Sequence, residues 1–288
     1  MKNIINIIVL SAFVLSSAFA GGPWPQPKGK GYFKLSEWWT IFSEHYTDTG
    51  VKDPNLTTGV FNTAIYAEYG LTDRLTTVVN VPFLSRNYMN NLRSSTTNDI
   101  IVQGESINTV GDIDLGLKFG LTKGRIPIAL TLTLGIPTGE TGGGSLNALQ
   151  TGDGEFNQML QLDAGGGFNV GKLSAYLSGF VGINNRTNGY SEELRLGLEA
   201  GLGLFDQRLW LSGRLNIVES FKNGETAETI TSTSLFANNS EFTTLGIEAN
   251  LYVTKNIGLS AGVAGALRGE IIAAAPSYSV GVFYDMNK

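Results

Sequence analysis

The chain has 288 residues, no cysteine, one histidine, and 25 acidic against 20 basic side chains for a formal net charge of −5. Without cysteine there is neither a disulfide framework nor a thiol or lipobox site, and with one histidine a Cys/His zinc centre is excluded. No run of like charge offers a footprint for nucleic acid, so none is expected as a partner.

In chain order, Lys2 precedes an apolar stretch from Ile4 to Val14, and small residues follow to Ala18 and Ala20. This is the pattern of a secretory signal cleaved after Ala20. A membrane helix needs about twenty apolar residues, and this stretch is broken by Ser11, Ser16 and Ser17. Residues 21–30, with Pro23, Trp24, Pro25 and Pro27, form a short N-terminal segment, too short for a folded plug domain. Residues 31–288 read as one unit.

That unit alternates apolar and polar residues in twelve segments: 31–42, 59–71, 75–86, 109–121, 126–137, 156–168, 173–184, 194–205, 209–219, 242–253, 257–267 and 276–285. A period of two sustained over some 250 residues without an amphipathic helix predicts an all-β fold, a transmembrane antiparallel up-and-down β-barrel of about 12 strands. Short connections (72–74, 122–125, 169–172, 206–208, 254–256) alternate with mostly longer polar ones (43–58, 87–108, 138–155, 220–241), predicting periplasmic turns and extracellular loops. The expected location is the outer membrane of a Gram-negative bacterium, with its lipid as partner.

The alternation assigns each residue a face. Phe33, Tyr69, Phe119, Phe168 and Tyr284 are expected outward at the periplasmic strand ends, as an aromatic girdle. Leu194 to Leu204 presents only apolar residues outward, and placing Arg195 or Glu199 there would cost a few kcal/mol each, which fixes its register. In the first strand the phase that turns Phe33, Leu35, Trp39 and Ile41 outward also turns Glu37 outward, and a bulge near Trp38 is one repair. The expected lumen row carries Lys34, Glu68, Asp112, Asp114, Lys118, Asp163, Arg195, Glu199, Arg214 and Glu248, interspersed with glycines. One reading is a narrow polar conduit with glycines leaving room for a solute. The other is a lumen closed by internal ion pairs, with Tyr176, Phe180, Trp210 and Tyr252 beside the glycines.

The glycine-rich loop from Pro137 to Glu155 reads as a surface loop, with an inward-folded constriction as the alternative, and its carboxylates lack the spacing of a calcium site. No metal, cofactor or catalytic residue is expected. His45, placed in the first external loop beside Ser43 and Glu44, would be the centre of a remote lipase reading.

Tyr-Gly-Leu-Thr-Asp-Arg at 69–74, Gly-Asp-Ile-Asp-Leu-Gly-Leu-Lys-Phe at 111–119, Pro-Thr-Gly-Glu at 137–140 and Thr-Gly-Asp-Gly at 151–154 resemble the MetA-pathway of phenol degradation family, over residues 58–285. That resemblance implies an outer-membrane barrel linked to uptake of aromatic or other hydrophobic compounds, and brings no catalytic residues. The leading expectation is a channel or transporter for a small solute, not an enzyme. The alternative is an occluded structural or adhesive surface barrel. Solute, direction and oligomeric state are not readable.

Overall fold

A computed structural model describes residues 21–225 and 234–288; the expected signal peptide lies outside the described residues. Twelve strands form the barrel: β1 Gly31–Tyr46, β2 Lys52–Gly70, β3 Leu75–Met89, β4 Ile113–Gly120, β5 Ile128–Ile136, β6 Asn157–Val170, β7 Leu173–Asn185, β8 Glu193–Leu204, β9 Leu209–Ser220, β10 Glu241–Tyr252, β11 Ile257–Glu270 and β12 Ser277–Asp285. Each pairs antiparallel with its neighbour, and β1 pairs with both β2 and β12, so the sheet closes. Closure leaves no edge strand, which a hydrocarbon environment would not tolerate.

The barrel is apolar outside. Leucine, valine, isoleucine and aromatic side chains are exposed on the outer face of every strand, whereas the buried aromatics Tyr32, Phe42, Tyr176, Trp210 and Phe283 point inward. Such a continuous apolar exterior is what lipid, and not water, would cover. Phe33 and Tyr284 face each other across β1 and β12. With Tyr69, Phe119 and Phe168 they are exposed on the outer face at the end closed by the short turns.

Several boundaries differ from the periodicity. β1 and β2 run past the predicted ends, so the predicted loop 43–58 reduces to a turn over 47–51, and His45 lies on a strand opposite Asp53 and Ala273. Residues Glu105–Thr109 pair with the upper half of β3, and Ile113–Gly120 with its lower half. The break falls at Pro82, which has no N–H to donate, and there the Gly111 amide donates to the Pro82 carbonyl at 2.8 Å.

β1 also lacks the bulge proposed near Trp38. Its ladder with β2 is continuous from Gly31 to Phe42, and the register shifts fall at Ser43 and, between β2 and β3, at Ala64. Glu37 stays on the outer face, where the Thr63 hydroxyl donates to its Oε2 at 2.5 Å.

Candidate functional site

Contacts between non-adjacent strands identify the inner wall. Lys34 on β1 reaches Glu248 on β10 at 3.2 Å, which is possible only inside the barrel because β11 and β12 separate their strands. Lys118 on β4 likewise reaches Glu68 on β2 at 3.1 Å across the inner surface of β3. Arg214 donates to Glu199, directly opposite it, and Arg195 pairs with Glu193 at 2.6 Å. Asp114 accepts from Asn80, and Asp163 accepts from Gln161 and Thr131. Asp112 sits one residue before β4 and binds loop backbone instead.

Glycines on this wall do not simply widen it. A Cβ at Gly201 would overlap the Tyr176 ring, one at Gly197 the Phe180 ring, and one at Gly203 would come within 2.9 Å of Trp210. Each ring lies against a glycine of the neighbouring strand, in space that a side chain there would block. Space read from the sequence as room for a solute is thus partly taken by aromatic rings.

The turn end of the lumen holds the segment that precedes β1. Although too short for a domain, residues 21–27 enter the barrel as a strap. The Gly21 amide donates to Glu68 Oε1 at 2.8 Å, Gln26 Nε2 donates to Glu68 Oε2 at 2.8 Å, and Trp24 meets Tyr176 edge-on with centroids 5.9 Å apart. Trp210 follows at 5.8 Å from Tyr176, and Tyr252, Phe283 and Tyr32 pack in succession. Asn287, beyond β12, donates to the Gln26 side chain, tying the two chain ends together. The notable signal in the sequence was Trp24 among prolines; no periodicity could show its docking.

At the loop end three of the quoted motifs meet. Asp112 accepts from the amides of Gly139 and Asp153, the Thr138 hydroxyl donates to the Gly111 carbonyl, and the Thr151 hydroxyl donates to the Val110 carbonyl. Leu149, Gln150 and Thr151 are buried, and Asn87 of the inner wall donates to the Gln150 carbonyl at 2.7 Å. The 137–156 loop is therefore folded onto the inner wall at the mouth and does not extend as a free surface loop. Beside it Arg186 pairs with Asp153, Glu155 and Glu193 at 2.8–3.0 Å. Burial pushes the Glu155 carboxyl above its ordinary range, while Arg186 and the Thr187 amide work against that shift.

Between the strap and the mouth lies a cavity of about 370 Å³. Lys34, Arg214, Glu199, Glu248 and Asp163 line it, with the rings of Trp24, Tyr66 and Phe180. Among the described residues no group of acidic and histidine side chains has the arrangement of a metal site. No hydrogen bond joins His45 to Ser43, and His45 Nδ1 is buried without a partner, so the geometry of an activated serine is not assembled.

Neither a family model nor a curated protein matches the chain, so the phenol-degradation resemblance stands on its motifs. Solved structures do resemble it. An outer membrane channel from Pseudomonas putida F1 aligns with a TM-score of 0.56 at 18% identity, covering 93% of this chain and 99% of that one. The β domain of the Bordetella autotransporter BrkA aligns at 0.51 and 15%, covering 90% and 100%. LpxR from Salmonella typhimurium aligns at 0.50 and 9%, covering 88% and 99%. At these identities the likeness is one of fold: a closed barrel of the outer-membrane kind.

Proposed function

We propose that the chain, exported and cleaved after Ala20, is a channel or transporter of the Gram-negative outer membrane for small solutes. The observation that carries this reading is the pairing of a predominantly apolar exterior with a charged cavity inside a closed barrel. The rings of Trp24, Tyr66 and Phe180 beside Lys34 and Arg214 suit a small solute with an apolar body and a polar group, in keeping with the aromatic compounds that the motif resemblance implies. On this reading the short turns face the periplasm, Phe33, Tyr69, Phe119, Phe168 and Tyr284 form the girdle there, and residues 21–27 narrow the exit.

Single-channel recording in a planar bilayer tests it. The chain beginning at Gly21 is expected to give small conductance steps, and the same chain lacking residues 21–27 larger ones. Silence from both, with folding shown by heat-dependent gel mobility, would sink the channel and favour the second reading. That reading, an occluded surface barrel, is motivated by two aromatic groups at the turn end, Trp24 with Tyr176 and Trp210, and Tyr252 with Phe283 and Tyr32.

A further inference from the structure

Glu68 is fully buried, yet it gathers four donors: the Gly21 nitrogen at 2.8 Å, Gln26 Nε2 at 2.8 Å, the Tyr66 hydroxyl at 2.5 Å and Lys118 Nζ at 3.1 Å. Asp163, also buried, interacts electrostatically with both Lys118 and Glu68. With Gly21 counted as an amide, this cluster holds two carboxylates against one ammonium. A buried charge left without a counter-charge is costly.

We propose that cleavage after Ala20 completes this cluster, because the nitrogen already seated on Glu68 becomes the α-ammonium of the mature chain. The inference rests on the cleavage reading above. Hydrolysis of the Ala20–Gly21 bond adds the water's hydroxyl to the Ala20 carbonyl carbon and its hydrogen to the Gly21 nitrogen. The freed amine, with an ordinary pKa of about 8, takes a further proton from solvent near neutral pH. Two carboxylates then face two ammonium groups. Gly21 lines the cavity together with Asp163 and Ser178. Gly22 has φ of 71°, and a Cβ there would come within 2.9 Å of the Trp24 ring, so the bend that brings the terminus to Glu68 requires glycine at that position. The strap is thereby locked by an ion pair at the new terminus, where the uncleaved chain has only the hydrogen bond of a neutral amide.

The test is acylation of the α-amine in folded protein isolated from membranes, with the N-terminal peptide read by mass spectrometry. The native chain should begin at Gly21 and react at least about tenfold more slowly than the urea-unfolded chain, since the amine must leave its site to react. Glu68→Gln should lose that protection, as should a refolded chain retaining Ala20 as its first residue, which needs no change in the barrel. A native chain beginning at another residue overturns the proposal together with the cleavage reading. One that begins at Gly21 and reacts as fast folded as unfolded overturns the ion pair alone.

Discussion

Gly201 carries no side chain because Tyr176 of the adjacent strand lies across it, with its hydroxyl donating to Glu199 at 2.5 Å. The ring thereby fills space against the wall and fixes the acceptor of Arg214, so one missing side chain positions a charged pair of the cavity. Gly201→Val must push the ring off the wall or bend the strand. Overpacking of this kind costs about 1–3 kcal/mol. The expected outcome is a lower urea midpoint for the refolded barrel, with weaker packing of Trp210 visible in its fluorescence. Gly213 supplies the control, since nothing lies within 4 Å of a Cβ there, and Gly213→Ala should leave the midpoint unchanged. Equal midpoints for both variants would show that the glycine–ring contact contributes nothing.

Strand β1 shows how far alternation can be read and where it stops. Its two faces were legible from Phe33, Leu35, Trp39 and Ile41, because one residue of slip would turn them all inward. The fate of Glu37 was not legible, because its acceptance on the outer face depends on Thr63 of β2, a pairing that no local pattern reveals. Similarly, the inward parity of Lys34 and Glu248 could be read from their own strands, but their ion pair joins residues 214 positions apart. Barrel closure makes it. The motifs at 111–119, 137–140 and 151–154 could be seen singly, while their convergence on Asp112 needed the loop to fold inward. Glu37 sits midway along the outward stripe of β1, where an acidic residue in lipid costs less than the 2–4 kcal/mol of a basic one but still destabilises. Glu37→Leu is therefore predicted to raise the urea midpoint of the barrel folded into vesicles. A lower midpoint would mean that the hydrogen bond from Thr63 outweighs the cost of the carboxylate in lipid.

Across the whole lumen the cations are committed. Lys34, Lys118, Arg186, Arg195 and Arg214 each lie within ion-pair distance of a glutamate, whereas the inward aspartates Asp114 and Asp285 have no such partner among the described residues. The fixed charge along the path is thus negative in excess. In a narrow tube with low-dielectric walls, that excess raises the local concentration of mobile cations and depletes anions. Under a salt gradient the reversal potential of the proposed channel should accordingly report cation over anion permeability. Replacing Arg195 and Arg214 together by alanine removes two positive charges, leaving Glu199 without its partner and Glu193 with Arg186 alone, so the cation preference should rise, and high salt should shrink the difference as screening takes over. An unchanged reversal potential in the double variant would mean that ions do not pass these side chains. The polar wall would then serve packing, and any hydrophobic solute would have to leave the barrel by another route.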